Sequence, residues 1–203
     1  MAHSAAVRLV DGRAIGEDAL APFVGWLSPD EAQRYARFVR PLRRRQFLIG
    51  RILLRQTLGP LLGVPADTVK LVEQPGNAPR LDWPDSALPG FSLSHSGPWV
   101  ACAVSSGTKL GLDIELIDPA RDVLALAGQA FDQDENTWLS ARPDASRIRD
   151  FYQLWSLREA RFKLATPGAH CISLAHPQLS VILCSAQPLS HRPELVSAWL
   201  SLS

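Results

Sequence analysis

The sequence predicts an α+β protein made of two similar halves. A helix-then-strand order occurs twice along the 203 residues, and a strongly alternating strand at residues 109–116 lies at the start of the second half. The two occurrences meet near residues 105–108. We therefore expect an N-terminal half at residues 1–107 and a C-terminal half at residues 108–203.

The N-terminal half is predicted to begin with a short strand at residues 7–10 and to continue with two helices. Ser28 is typical of a helix N-cap, Pro29 of the first helical position and Glu31 of a capping box, so the first helix should run from here to about residue 40. Pro41 should start a second helix that ends near residues 59–60. Further strands are predicted at residues 68–72, 91–94 and 99–104, with a loop at 74–90.

The C-terminal half contains the clearest strand of the sequence. Aliphatic residues alternate there with small or acidic ones, at Leu110, Leu112, Ile114 and Leu116. Helices are predicted near residues 121–129, 132–139 and 148–165, and Pro167 with Gly168 should stop the last of them. Closing strands are predicted at residues 172–183 and 195–200.

The overall composition excludes several classes of protein. The chain is 46% hydrophobic and 20% charged with a formal net charge of +1, which argues against a histone-like nucleic-acid binder. Residues 1–10 lack the apolar core of a secretory signal, and no apolar stretch is long enough for a membrane helix. The three cysteines are too scattered for a disulfide framework or a zinc site, so we expect buried thiols in a reducing, cytoplasmic compartment.

Positive charge is distributed unevenly along the chain. Only Lys70, Lys109 and Lys163 are lysines among the 21 basic residues, and many of the arginines crowd between Arg34 and Arg55. Such a run is often a solvated helix face. It also suits phosphates or an acidic partner, because the guanidinium fork matches both.

Two acids in the clearest strand are candidate metal ligands. Asp113 and Glu115 are two residues apart, so they share a strand face about 7 Å apart, with Gly111 clearing space beside them. Neighbouring carboxylates repel each other unless a cation lies between them, and oxygen ligands favour a hard ion such as Mg²⁺. An exposed edge strand with two solvated acids is the alternative interpretation.

A second group of candidate residues lies within the last predicted helix. Trp155, Glu159 and Lys163 are four residues apart and so lie on one helix face. A Glu–Lys pair at this spacing is common on protein surfaces. A tryptophan on the same stripe favours burial instead, and a buried glutamate needs a partner such as a metal.

The third candidate is the Ser94–His95 pair that follows a predicted strand. A hydroxyl, an imidazole and nearby backbone N–H groups could hold a phosphate. A Ser–His hydrolase is a weaker alternative, because adjacent residues rarely act as nucleophile and base and no GxSxG motif is present. A histidine that only caps a turn is the remaining alternative.

Taken in order, the motifs S-H-S (94–96), G-x-D-I-E (111–115) and W-x-x-R-E-A-x-x-K (155–163) resemble the surfactin-synthetase-type 4′-phosphopantetheinyl transferases. Residues 28–55 and 131–135 are similar to the family more loosely. The resemblance implies two α+β halves related by a pseudo-twofold axis, an N-terminal half that binds coenzyme A, and a C-terminal half with the metal and the catalytic helix.

The activity implied by the resemblance is transfer of 4′-phosphopantetheine from coenzyme A to a serine of an acyl or peptidyl carrier protein, with release of 3′,5′-ADP. It also implies a monomer without nucleic-acid or membrane partners. The implied Mg²⁺ ligands are Asp113, Glu115 and Glu159, with Glu159 also the base and Lys163 the group that neutralises the phosphates. The implied coenzyme A ligands are Arg34, one arginine of the run 43–45 (Arg45 above all), Arg80, Ser94 and His95.

Some positions depart from the family pattern. Arg158 replaces a lysine, residues 76–80 lack the usual lysine so that Arg80 would substitute for it, and Gln46 replaces an arginine beside Arg45. These departures leave the metal ligands intact and bear on the phosphate contacts. A catalytically inactive module that binds carrier proteins or coenzyme A, and a Mg²⁺-dependent phosphohydrolase, are the alternative functions.

Overall fold

The computed structural model describes residues 3–74, 78–84 and 88–201. The strands are β1 (Ala6–Asp11), β2 (Leu71–Val72), β3 (Arg80–Leu81), β4 (Gly90–Ser96), β5 (Trp99–Ser105), β6 (Leu110–Leu116), β7 (His170–Ser173), β8 (Leu179–Ser185) and β9 (Leu195–Ser197). The helices are α1 (Glu17–Leu20), α2 (Pro29–Ala36), α3 (Pro41–Leu62), α4 (Val123–Ala130), α5 (Gln133–Ser140) and α6 (Asp144–Leu164), with 3₁₀ turns at Gly12–Ala14, Ala21–Trp26 and Ala66–Thr68.

Two sheets form the centre of the fold, each covered by one long helix. The first has the strand order β4-β5-β1-β9 and packs against α3, and the second has the order β6-β8-β7 and packs against α6. β2 and β3 form a separate antiparallel pair. The α+β class expected from the sequence is confirmed. The predicted strand at 172–183 is instead two antiparallel strands, β7 and β8.

The first sheet includes a strand from the far end of the chain. β9 pairs in parallel with β1, with Val7 opposite Leu195. The proposed division at residue 107 therefore separates the chain in sequence but not completely in space, and it stays a prediction.

The helix starts follow local chemistry. Ser28 Oγ accepts a hydrogen bond from the Glu31 N–H at 3.3 Å, and the Glu31 carboxylate accepts one from the Ser28 N–H at 2.9 Å, so the capping box is confirmed. α2 ends earlier than expected, and Arg40 is extended because it precedes Pro41. α3 continues past the predicted end to Leu62, and Gly63, with a φ of 70°, forms the left-handed cap after it.

Part of the arginine run is buried and structural. Arg55 donates to Glu31 at 2.5 and 3.1 Å, and both side chains are almost fully buried. Arg51 joins Glu31 at 3.1 Å and also pairs with Glu73, which a third arginine, Arg34, contacts as well. Burial opposes ionisation of Glu73, but the two arginines beside it outweigh this and lower its pKa. Arg55 is therefore a structural residue of the interior, whereas Arg51 pairs with acids and also lines the cavity described below.

The expectation for the cysteines is wrong for two of the three. Cys171 and Cys184 are direct partners in the antiparallel register of β7 and β8, and they form a disulfide across 13 residues of sequence. The strand pairing, which spacing alone does not reveal, brings them together. Cys102 is a buried free thiol, and burial raises its pKa to about 12.

None of the helices in the described ranges has both the length and the apolar character needed to cross a membrane.

Candidate active site

The candidate site lies where the two sheets meet. β4 is an edge strand of the first sheet and β6 is an edge strand of the second. Backbone N–H groups of β6 donate to serine hydroxyls of β4 along this junction, for example Ile114 N–H to Ser94 Oγ at 3.2 Å. The acids of β6 are therefore held against the first sheet. The helix α3, which contains the arginines, packs on that same sheet.

Asp113 and Glu115 share one face of β6, as the alternation predicts. Asp113 is only 3% exposed, and its Oδ1 accepts hydrogen bonds from Ser94 Oγ at 3.0 Å and from Lys163 Nζ at 2.7 Å. Its Oδ2 is buried and has no hydrogen-bond partner in the described part of the chain. Glu115 accepts a hydrogen bond from Ser96 Oγ at 2.7 Å.

The surroundings of Glu115 disfavour its ionised form. Burial is the main cause that raises its pKa, and the neighbouring charges of Asp113 and Glu159 act in the same direction. The hydrogen bond from Ser96 and the charge of Lys163 oppose the rise without cancelling it. The charges of Asp113 and Glu159 thus reach Glu115, and a cation bound beside it would favour the ionised form of its carboxyl group.

α6 lies directly on β6, and Gly111 permits this contact. A Cβ atom at position 111 would lie 2.0 Å from the backbone oxygen of Ala160. The close approach brings Lys163 Nζ within hydrogen-bond distance of Asp113, of Ser94 Oγ (3.0 Å) and of the Leu112 carbonyl (3.1 Å). Trp155, on the same helix stripe, packs on the ring of Phe151. The alternative interpretation, a Glu–Lys pair that lies only on the protein surface, therefore does not describe this face of α6.

The donor set suits a hard cation, although the acids do not form a complete cage. Within residues 3–74, 78–84 and 88–201, no three His, Cys, Asp or Glu residues are gathered closely enough to hold a metal by themselves. The unpartnered Oδ2 of Asp113 is an oxygen that could still accept a further ligand, in addition to the bond from Lys163 to Oδ1. Mg²⁺ keeps water and substrate phosphates in its shell, so a partial protein site fits this ion.

A cavity of about 390 Å³ opens beside Ser94 and Lys163, which contact Asp113, whereas the three acids themselves are absent from its described lining. Its lining includes Arg34, Arg43, Phe47, His95, Phe162 and Lys163. A larger cavity of about 710 Å³ lies between the end of α3 and residues 197–201, and Arg8 is the charged residue of its described lining. The smaller cavity is the better candidate, because several cationic side chains line it and two of its lining residues, Ser94 and Lys163, contact Asp113.

Arg43 and His95 meet at the wall of the smaller cavity. Arg43 Nη1 lies 2.6 Å from His95 Nε2. Loss of hydration and then the Arg43 charge lower the pKa of His95 to about 4, although part of the residue remains exposed. The imidazole is therefore neutral at pH 7 and accepts a hydrogen bond from the guanidinium.

Replacing Arg43 by glutamine should raise the pKa of His95. The substitution removes the neighbouring charge that opposes protonation, whereas burial continues to hold the pKa below its ordinary value. Proton NMR titration of the histidine ring resonances measures the change. Arg44→Gln is the matched control, because Arg44 stacks on Tyr35 instead; an equal shift in both variants would contradict the assigned contact.

The residues expected to bind coenzyme A are only partly brought together. Arg34, Ser94 and His95 line the cavity. Arg45 is absent from the described lining, because its guanidinium donates to the Gly12 carbonyl at 2.8 Å and pairs with Glu17. Arg80 is also absent from it, and it is an exposed residue of β3. In the loop that departs from the family pattern, Gly76 and Asn77 lie outside the described residues.

The sequence did not single out Arg43 from its neighbours. A helix turns about 100° per residue, so consecutive arginines point in different directions, and only packing decides which of them faces the cavity. Gln46 lies there too, and its Nε2 donates to the Gly97 carbonyl at 2.6 Å.

Comparison with known proteins identifies the family. Residues 17–107 match the model for "4′-phosphopantetheinyl transferase, N-terminal", and residues 109–201 match that for the "4′-phosphopantetheinyl transferase superfamily". The chain is 33% identical over 153 residues to the 4′-phosphopantetheinyl transferase AcpT of Escherichia coli (strain K12), and the alignment covers 73% of each protein. The chain belongs to the 4′-phosphopantetheinyl transferase superfamily.

Two other relatives of the superfamily show the extent of the similarity. The 4′-phosphopantetheinyl transferase HetI of Nostoc sp. is 35% identical over 154 residues, which cover 75% of this chain and 65% of HetI. The 4′-phosphopantetheinyl transferase Sfp of Bacillus subtilis (strain 168) is 28% identical over 77% of this chain and 67% of Sfp. The chain thus spans slightly less than two thirds of the length of HetI. The family resemblance predicted from the three motifs is confirmed.

Proposed function

We propose that this superfamily member transfers the 4′-phosphopantetheine moiety of coenzyme A to the serine of an acyl or peptidyl carrier protein and releases 3′,5′-ADP. The observation that carries the proposal is the junction of Asp113, Glu115 and Lys163 beside a cavity lined by arginines. The names of AcpT, HetI and Sfp support the same reaction class.

The cavity supplies groups suited to the phosphates of coenzyme A. Arg34, Arg43 and Arg51 line it, and guanidinium groups match phosphate oxygens in geometry and charge; Arg43 is the one of the three that is not paired with Glu73. The neutral imidazole of His95 keeps a hydrogen-bonding nitrogen available beside Arg43. Arg43 therefore takes the place that the family pattern suggested for one arginine of the run 43–45, and Arg45 is left as a structural residue.

Asp113, Glu115 and Glu159 would hold Mg²⁺ together with the pyrophosphate of coenzyme A. The ion would neutralise charge on the two phosphates during transfer. Substrate oxygens would complete a coordination shell that the three carboxylates leave partial, in agreement with the spread of the acids noted above.

The chain's own residues then need to perform few chemical tasks. The serine oxygen attacks the β-phosphorus, a new P–O bond forms, and the bond to the α-phosphate oxygen breaks with 3′,5′-ADP as the leaving group. Glu159, which is partly exposed on α6, accepts the proton of the serine hydroxyl directly or through water. Lys163, already one hydrogen bond from Asp113, stabilises the charge that develops on the leaving phosphate.

The direct test is to incubate the protein with coenzyme A, Mg²⁺ and several apo carrier proteins and to weigh the carriers by mass spectrometry. A mass gain equal to phosphopantetheine supports transfer. Release of 3′,5′-ADP without modified carrier would support a phosphohydrolase, and neither product would support a binding module.

We also propose a monomer that acts in the cytoplasm without nucleic-acid or membrane partners. The balanced net charge of +1 supports the absence of a nucleic-acid partner. The Cys171–Cys184 disulfide counts against a reducing compartment, because cytosolic thiols are usually kept reduced. Alkylation of the protein as isolated from cells, followed by mass measurement, tests the redox state of this pair.

Replacing Lys163 by methionine should lower kcat by about 10²-fold with a much smaller change in KM for coenzyme A. Methionine keeps the apolar stem but removes a charge that is needed most in the transition state. Steady-state kinetics with coenzyme A varied at saturating carrier protein measures both constants. Lys70→Met is the matched control, since Lys70 is exposed and absent from the described lining of the site cavity. A rise in KM alone would instead indicate a ground-state anchor.

A further inference from the structure

The junction between β4 and β6 is held by side chains in a regular series. The N–H groups of Leu112, Ile114 and Leu116 donate to the hydroxyls of Ser92, Ser94 and Ser96 at 2.9, 3.2 and 3.0 Å. Each pair is separated by 20 residues, so β4 and β6 run parallel and in register. We call these three serines and their three N–H partners the serine seam.

The serine seam satisfies a sheet edge that is buried. Successive N–H groups of a strand point to opposite edges, so β6 uses alternate groups for β8 and presents the others to β4. Leu112 and Ile114 are fully buried, and a buried N–H without a partner is costly. A serine hydroxyl accepts such a bond and still has one hydrogen to donate.

Two of the three hydroxyls use that hydrogen on the acids of the site. Ser94 Oγ donates to Asp113 Oδ1 at 3.0 Å, and Ser96 Oγ donates to Glu115 Oε2 at 2.7 Å. The corresponding position for Ser92 is Gly111, which has no side chain. The serines on β4 therefore correspond in order to residues on β6: Ser92 to Gly111, Ser94 to Asp113 and Ser96 to Glu115.

Ser94 has little capacity left for another ligand. Its hydroxyl accepts from the Ile114 N–H and from Lys163 Nζ and donates to Asp113, which uses its one hydrogen and both lone pairs. A phosphate contact through this hydroxyl, as the family resemblance implies, would have to displace one of these bonds. The orientation of Asp113 is the role that the observed contacts support.

We infer that Ser96 is a positioning residue that fixes the Glu115 carboxylate for cation binding, and that Ser94 does the same for Asp113. The inference rests on the proposed function, since it takes these carboxylates to be Mg²⁺ ligands. Groups that orient metal ligands from behind typically change metal affinity by about 10-fold to 100-fold when they are removed. The serine seam thereby makes the position of the cation ligands depend on how the two sheets meet.

Ser92 provides a matched control within the same seam. Ser92→Ala and Ser96→Ala each remove one acceptor for a β6 N–H group, so both should lower stability to a similar degree. Only Ser96→Ala also removes a donor to a site carboxylate. A difference between the two variants in cation affinity therefore reports positioning of Glu115 rather than loss of the seam.

The experiment measures Mn²⁺ binding by electron paramagnetic resonance in the full chain, with coenzyme A present and no carrier protein, so that no turnover occurs. We expect Ser96→Ala to weaken Mn²⁺ binding by about 10-fold or more and Ser92→Ala to leave it within about 2-fold. Ser96→Thr keeps the hydroxyl and should restore most of the affinity. Urea titration of each variant verifies folding, and Ser96→Cys, a weak donor of similar size, replaces Ser96→Ala if that variant does not fold.

The outcomes separate this inference from the proposed function. If both Ser92→Ala and Ser96→Ala bind Mn²⁺ as tightly as the wild-type protein, the positioning role is overturned, while the wild-type affinity still supports a cation site. Equal weakening in both variants would also overturn it, because the seam alone would then control the site. Absence of Mn²⁺ binding in the wild-type protein would overturn the cation site and the positioning role together, whereas the carrier mass test would still judge transfer.

Discussion

Replacing Asp113 by asparagine should lower the rate of carrier modification by at least about 10²-fold. The amide keeps the shape of the side chain and can still accept a hydrogen bond from Ser94. It cannot supply the negative charge that Mg²⁺ and Lys163 require. The melting temperature should change little, because Lys163 is partly exposed and can turn toward water.

The measurement is a pair of experiments on each variant: carrier modification followed by mass spectrometry, and thermal unfolding. Asp67→Asn is the control, since Asp67 is exposed in the 3₁₀ turn after α3 and is absent from the described lining of the site cavity. Full activity of Asp113→Asn with Mg²⁺ present would remove Asp113 from the metal site.

Replacing Arg55 by methionine should destabilise the fold by about 3–5 kcal/mol. Glu31 is fully buried and, among the described residues, would keep Arg51 alone as a charged partner, and the Val69 carbonyl would lose the hydrogen bond that Arg55 Nε donates at 3.1 Å. Removing one partner of a buried pair costs more than the pair itself contributes, because the other charge stays desolvated.

Urea denaturation measures this loss of stability. Arg142→Met is the comparison, because the Arg142–Asp150 pair is much more exposed and should contribute no more than about 1 kcal/mol. A loss as small in Arg55→Met as in Arg142→Met would mean that water reaches Glu31. Activity per folded molecule should be retained in Arg55→Met, because Arg55 stabilises α2 and α3 and is absent from the described cavity lining.

The arginine run between Arg34 and Arg55 could not be interpreted from composition, because its members have different roles. Arg43 faces the cavity, Arg45 holds the Gly12 carbonyl, and Arg51 and Arg55 both neutralise the buried carboxylate of Glu31. All four belong to α3, and their partners His95, the Gly12 carbonyl and Glu31 come from three different parts of the chain. Sequence spacing gives the direction of each side chain around the helix axis but not what lies in that direction.

Local periodicity was sufficient for the features that depend on neighbours along the chain. The capping box at Ser28 and Glu31 determined where α2 begins, and the alternation in β6 put Asp113 and Glu115 on one face. A spacing of four residues put Glu159 and Lys163 on one side of α6. These features depend on bonds and rotations within a few residues, so the sequence by itself determined them.

Only the tertiary structure decided how these faces meet. The disulfide of β7 and β8, the pairing of β9 with β1 and the bond from Lys163 to Asp113 join positions far apart in sequence. The serine seam depends on the register of two edge strands from different sheets. Register and sheet contact are set by the packing of many side chains at once, so no local pattern in the sequence specifies them.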